Sequence, residues 1–509
     1  MTSTLRSRAE RRGLSTQPLR RRVDNVVLRW QARLDSEWSD RTLPWIIALV
    51  LFVLLASLAL ARARSLDGTQ DLAIYTQATW LIRNGLAPEV TFGDAPGHLM
   101  AQQAAFAFYP MTGISFILPI IPGLLVLQSA ALALAVVPLW RIGRRLANLR
   151  VGAVATLVFV YAVYPVMHNL NLAGFHPETI AIPGLLAAFY FAETDRWRWF
   201  ALFSIVVMLS RADLGLVVAG MGLLFALEGK RRKGAIVVVL ALAWTAVAAI
   251  VIQPDFGNGT FPHLNAFREF GDSPGSVAWG ILVHPIDVVG GLTSEQNFNL
   301  LVTLLAPVVF LPVLAPRYLL PAIPVQILYM IADVPRDAVF GQQTVAITAF
   351  IFIATAFALS RIGRLGVEKV TVDRRVLAAL LLAGSVFFVR DAASSPYREP
   401  WDWGGQDVVD GARINARDSI PREAAVRASP SMLQLLAERE SLYVLDSRDV
   451  DPVAAADGVD VVVIDERSIG EWSAEDRMDF FEGMARQRFT VTTNEQGILV
   501  FEQVDRAPP

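Results

Sequence analysis

Four groups of ionisable residues lie on the predicted outer face of an apolar set of spans, and their types suit chemistry at a membrane boundary. They are Asp67 with Asp71; Asp94 with His98; His168, His176 and Glu178; and Arg211 with Asp213. A charged side chain at or inside a bilayer is costly, so such residues mark a site by default. A carboxylate in such a place can accept the proton of a hydroxyl nucleophile. A guanidinium stays charged and offers paired donors to phosphate oxygens. His, Asp and Glu together suit a divalent cation, although their spacing here matches no metal signature. Each group also has a plain structural reading. Asp67 and Asp71 would complement a helix dipole, Arg211 and Asp213 would neutralise each other at a turn, and His176 with Glu178 would flank Pro177 in a solvated loop. Arg211 and Asp213 are the most informative, because they break an apolar run from Trp197 to Leu227.

The elements that carry these groups follow from hydropathy. The chain has 509 residues, 54% of them hydrophobic, with a mean hydropathy of +0.44, which describes a multi-pass membrane protein. Its net charge of −2 decides little, since charge in such a chain is read loop by loop. Cysteine is absent, which excludes disulfides and thiolate metal sites. Apolar runs of spanning type begin at Leu43–Ala63, whose length fits a bilayer crossing of about 20 residues. Others lie at Gly123–Ile142, Val151–Val166, Thr179–Ala192, Trp197–Leu209, Leu214–Leu227 and Ala235–Ile252. Four more follow at Phe298–Leu314, Tyr318–Ala332, Val345–Ser360 and Val376–Val389, for about eleven spans in all. The connections Arg141–Arg150, Lys230–Lys233 and Arg361–Arg375 are basic, which places them and the N-terminus in the cytoplasm.

The expected fold is therefore mainly α, a polytopic transmembrane helical bundle at 43–390 with its first outer loop at 64–122. A basic tail precedes it at 1–42, where Leu19, Val23, Val26, Trp30, Leu34 and Trp38 recur at helical spacing, as an interfacial helix on an anionic leaflet would require. A flexible basic tail is the competing reading. Met100–Ile121 reads as re-entrant or spanning. Residues 391–509 are charged and soluble-like, with strand runs at Ser441–Leu445, Val459–Ile464 and Gly497–Glu502 and helical patterns at Ser431–Arg439 and Ala474–Arg486. They read as a small extracytoplasmic α/β domain. In the first outer loop, Asp67–Gly85 reads as a helix capped by Asp67 or Thr69 and ended by Gly85. Its residues Leu72, Tyr75, Thr79 and Ile82 share one face, so the helix should lie on the bundle at the membrane surface. No nucleic-acid signature is present beyond the basic tail.

The order Asp71-Leu72, Tyr75, Gln77 and Trp80, then Phe106–Pro110, then Phe175–Glu178, then Arg211–Leu216, resembles a family of predicted bacterial and archaeal membrane proteins of unknown function, domain of unknown function 2079. The resemblance runs from about Ser65 into the C-terminal domain, at Ile420–Asp446 and Val459–Asp465. That family is similar in layout to the GT-C membrane glycosyltransferases, in which an acidic residue of the first outer loop acts near a polyprenyl-phosphate sugar. The resemblance implies a transferase that gives the sugar of a lipid-linked donor to a cell-envelope glycan or protein acceptor, with Asp71 as the acidic residue that acts in catalysis. Arg211 would hold the phosphate, while Asp213, His176, Glu178, Gln77 and Asp67 would contact donor or acceptor. No cofactor is expected, with a divalent cation left open by the His, Asp and Glu residue types alone. This chain departs from the family pattern at Thr76, Ala107, Ala212 and Gln342-Gln343-Thr344, each of which removes a potential base or ligand. A transporter or an envelope scaffold is the alternative; against transport, the two halves contain no inverted repeat.

Overall fold

The computed structural model describes residues 35–504 except 67, 94–95, 258, 260, 262, 334–340, 367–368, 398–403, 446–450 and 469–472. The expectations for the tail before residue 35, for Asp67 and for Asp94 lie outside the described residues.

Five helices among the described residues are long and apolar enough to cross a membrane: Glu37–Arg64, Ile120–Leu146, Val151–Leu172, Arg231–Phe256 and Gln342–Ile362. The first begins at Ser36, whose hydroxyl accepts from the backbone N–H of Ser39. Arg231–Phe256 has only 11% of its apolar window buried, so most of its surface faces away from the rest of the chain. Two further apolar helices, Trp197–Ser210 and Leu214–Leu227, have 14 residues each, below the roughly 20 needed to span, and meet at Arg211-Ala212-Asp213. The sequence reading of separate spans at Phe298–Leu314 and Tyr318–Ala332 differs from what is found. Glu295–Leu305 and Ile323–Ile331 are short helices, and tight turns fill the stretch between them. Hydropathy counts apolar residues and ignores proline. Here Pro307, Pro312 and Pro316 deny the backbone a continuous helix, and Val309 and Phe310 take positive φ of 54° and 53°. Met100–Ile121 likewise forms short pieces, Leu99–Gln103, Phe108–Thr112 and Gly113–Phe116, ahead of the long helix.

The helix Gln70–Arg83 ends as its sequence requires. Gly85 has φ +76°, its N–H donates to the Ile82 carbonyl and that of Leu86 to Leu81, which closes the last turn. Its start departs from expectation: Thr69 is the N-cap but gives its hydroxyl to the Ala173 carbonyl instead of capping. Its setting departs further. Leu72, Ala73, Ile74, Tyr75, Thr76, Gln77, Ala78, Thr79 and Leu81 are all buried, so the helix is covered on both sides and not on one face alone.

The cover is the C-terminal segment. Its five-stranded sheet runs, edge to edge, Leu442–Val444, Val426–Ala428, Val461–Asp465, Ile498–Gln503 and Phe489–Glu495; the first three strands are parallel and the last two antiparallel. The helix Ala474–Arg486 starts where its pattern predicts, at a capping box on Ser473. Leu72, Tyr75 and Phe108 share one apolar core with Leu433, Leu436, Val461 and Ile498. Polar ties reinforce it. The Gln77 amide donates to the carbonyl of Glu440 at 3.0 Å, and Gln434 donates to that of Ala63 at 3.0 Å.

Candidate functional site

Gly174 sets the site's geometry. Its φ of +114° suits glycine, and a Cβ there would lie 2.4 Å from the Thr69 hydroxyl, so the chain before Phe175 presses against the first turn of the helix Gln70–Arg83. The next residues make the turn Pro177–Ile180, with proline at its first position, where the lack of an N–H costs nothing. Gln128, from the helix Ile120–Leu146, locks the turn: its amide donates to the carbonyls of Leu170 and Gly174 and its oxygen accepts from the His176 N–H at 2.7 Å. An amide in the middle of an apolar span is costly unless bonded, and Gln128 is 1% exposed with both ends engaged.

This brings Asp71 and His176 together. His176 Nε2 stands 3.8 Å from Asp71 Oδ2, beyond a hydrogen bond but close enough that a small shift would make one. The His176 side chain is buried, whereas that of Asp71 is 47% exposed, so the carboxylate is the group a ligand can reach. His176 Nδ1 has no partner among the described residues. Two residues along, the Glu178 carboxylate is fully buried; Oε1 accepts from Arg211 at 3.2 Å and Oε2 has no partner among the described residues.

Arg211 sits in extended backbone between its two short helices and closes the far wall. Its Nε and Nη2 grip the Asp213 carboxylate at 2.7 and 3.3 Å; Nη1 donates to Glu178 and to the Gln342 carbonyl, and Nη2 also to the Tyr329 hydroxyl at 2.7 Å. The Tyr329 hydroxyl is itself in contact with Asp213, and its ring lies under the guanidinium. A guanidinium has five N–H donors, and all are committed here. A phosphate reaches Arg211 only by displacing one of these partners.

Tyr75 packs between Phe108 and Phe175 and donates to Gln103 Oε1 at 2.9 Å. Burial, then the nearby Glu178 and Asp71 charges, push its phenol well above the ordinary value, so it stays a neutral donor. Among the described residues, Asp71, Glu178 and Asp213 face one permanent cation, Arg211, so the site is acidic.

The other sequence candidates fall elsewhere. Gln77, expected to contact substrate, spends its amide on Thr91, Arg439 and Glu440 as a tie to the C-terminal segment. His98 caps the helix Leu99–Gln103 through Nδ1 and stacks on Phe256 at 4.2 Å; burial lowers its pKa. His168 is buried, bonded to the Ala162 carbonyl and the Ser394 hydroxyl, so it clasps the chain leaving the bundle. No three His, Asp or Glu side chains among the described residues converge as a metal site. Gln128, Gln103 and Tyr329 were missed. An isolated amide in the run Gly123–Ile142 was the available signal for Gln128; Tyr329 had none beyond its place three residues after Gln326.

The bundle, the first-loop helix and the C-terminal cover together form a membrane protein whose fold is similar to that of the GT-C glycosyltransferases. The solved structure of ArnT from Cupriavidus metallidurans bound to undecaprenyl phosphate aligns with a TM-score of 0.54 at 12% identity, over 93% of this chain and 100% of that one. The arabinofuranosyltransferase AftD from Mycobacteria aligns with a TM-score of 0.52 at 15% identity, over 89% of this chain and 39% of that one. At such identities the likeness is one of fold. Residues 62–500 match the family described as "Predicted membrane protein (DUF2079)", and the chain belongs to it. A comparison with curated proteins finds no match.

Proposed function

We propose that this protein is a GT-C-like glycosyltransferase that takes a sugar from a polyprenyl-phosphate donor and passes it to a cell-envelope acceptor. One observation carries the reading: the half-exposed Asp71 carboxylate projects from a helix held on both sides, against the buried His176–Glu178 turn. The acceptor hydroxyl oxygen attacks the anomeric carbon, and the bond from that carbon to the phosphate oxygen breaks. Polyprenyl phosphate leaves, and the hydroxyl proton passes to Asp71. A base so placed needs only reach and charge, and typically contributes about 10²–10⁴-fold. Likeness to a structure with bound undecaprenyl phosphate supports the donor class. The bundle is read as about eleven membrane passages, counting the short and bent helices, with the C-terminal domain extracytoplasmic.

Arg211 serves this reaction in one of two ways. It either keeps Glu178 and Asp213 ionised and in place, or releases Asp213 and turns its Nε and Nη2 to the departing phosphate. The acidic balance of the site also leaves room for a divalent cation brought in with the donor.

The test is transfer itself. Membranes holding the protein should move label from a polyprenyl-phosphate sugar pool to envelope glycan, and a deletion strain should accumulate the donor. Unchanged donor pools and glycans in the deletion strain would favour a transporter or scaffold instead.

A further inference from the structure

A second feature lies away from Asp71. Between the helices Glu37–Arg64, Ile120–Leu146, Ala181–Glu193 and Trp197–Ser210 runs a cavity of about 380 Å³ with almost wholly apolar walls. Its end nearer Asp71 is walled by Gln128, Phe175 and Thr179, and its other end by Trp45, Arg141 and Tyr190. The helical rise from Gln128 to Arg141 is roughly 20 Å, while one leaflet of a ~30 Å hydrocarbon core is about 15 Å deep. The groove is therefore long enough for one lipid chain.

The two ends differ in what they offer a headgroup. Gln128 has both ends of its amide committed, and the Thr179 hydroxyl donates to the His176 carbonyl. At the opposite end Arg141 makes no hydrogen bond or ion pair with any described residue. Its neighbours are different: Arg144 is buried and held by Asp35 and Asp40, and Arg145 donates to the Tyr190 hydroxyl at 3.0 Å. A half-buried, unpaired guanidinium at the mouth of an apolar groove calls for an anion. The exposed Trp45 ring beside it suits the headgroup level of a bilayer.

We propose that this groove is a binding site for an anionic phospholipid, its phosphate on Arg141 and one acyl chain running toward Gln128. Charge complementarity fixes the direction. A lipid with its headgroup at the Gln128 end would find no free polar partner there and would leave Arg141 unpaired. The surrounding basic loops place this mouth at the cytoplasmic leaflet, where anionic lipid is available. The inference stands on this groove alone and does not rest on the transferase reading.

The full chain should be assembled in nanodiscs with equal phosphatidylglycerol and phosphatidylethanolamine, released into detergent and weighed by native mass spectrometry. Retention of phosphatidylglycerol in excess over phosphatidylethanolamine is expected. Arg141→Gln should cut that excess about fivefold, the effect of one surface cation on anionic lipid binding, while Arg141→Lys keeps most of it. Ala130→Phe, which fills the groove from a half-buried position, should lower retention of both lipids. Equal retention of the two lipids by the wild type overturns the proposal. So does an excess that survives Arg141→Gln, or retention that ignores Ala130→Phe.

Discussion

The ring of partners around Arg211 makes it the residue whose removal says most. If it only balances charge, Arg211→Ala leaves Glu178 and Asp213 poorly solvated and should cost about 3–5 kcal/mol, while adding Asp213→Leu should restore much of the stability. Thermal unfolding in detergent reads both. If Arg211 also meets the donor phosphate, Arg211→Lys should fold yet lose donor binding, because lysine keeps the charge without the paired donors. Full transfer activity in the stable double variant would remove Arg211 from donor binding. For Asp71, replacement by Asn keeps the shape and removes the proton acceptor, so transfer should fall about 10²–10⁴-fold at near-normal protein level. Wild-type activity in Asp71→Asn would take Asp71 out of the reaction. That Asp71, His176, Glu178 and Arg211 would gather was legible in the sequence, since topology alone put them on one face. The saturation of Arg211 was not. It depends on Tyr329 and on the Gln342 carbonyl, more than a hundred residues away, and no local pattern announces such partners.

Among the elements, the helix Gln70–Arg83 shows how far local chemistry reaches. Its existence and its end at Gly85 were readable because a helix terminus is settled by a few neighbouring residues. Its double burial was hidden, because the covering residues Leu433, Leu436 and Glu440 come from the far end of the chain. Gly174 is where this helix and the His176 turn press together. Gly174→Ala adds a Cβ 2.4 Å from the Thr69 hydroxyl in a backbone conformation that disfavours side chains, and strain of this kind costs about 1–3 kcal/mol. The expected outcome is a protein that inserts but has lost most transfer activity, since Asp71 and His176 are pushed apart; unaltered activity would show that their spacing is not critical.

In the covering sheet, Asp465 is fully buried at the end of its strand. Burial opposes its ionisation, but hydrogen bonds from Arg413, Ser431 and the Arg467 N–H outweigh that and hold its pKa below the usual carboxylate value. A depressed folded-state pKa contributes stability above the unfolded value near 4, and that contribution is lost as pH falls through the lower folded value. The sheet should therefore loosen in acid below about pH 4, and Asp465→Asn should flatten that part of the profile while lowering stability at neutral pH. Proteolysis of the C-terminal segment across pH follows both. An identical acid profile in Asp465→Asn would assign the loss to other groups.

At the scale of the whole molecule, two sets of contacts make the orientation a single question. The basic loops meet on one face: Lys369 Nζ donates to the Arg144 carbonyl, the Arg150 N–H to that of Val370, and Lys230 pairs with Glu193. The C-terminal sheet and the Asp71 helix meet on the other and share a core, so neither can change sides without the other. Cationic loops favour the cytoplasm, so the proposed orientation is the one with Asp71 and the sheet outside, where a polyprenyl-linked sugar facing the envelope would be met. The span count cannot decide this, because the short pair around Arg211 and the bent pair Pro274–Val283 and Pro285–Leu292, folded by 88°, leave parity open to hydropathy. Reporter fusions can. A periplasm-active enzyme joined after Pro396 should be active and one joined after Arg150 silent, with a cytoplasm-active reporter giving the reverse. The opposite pattern would put Asp71 in the cytoplasm and end the proposal of an envelope acceptor. Activity of the same reporter at both positions would contradict the fold itself, because the helix Ile120–Leu146 separates the Asp71 face from the Arg150 face.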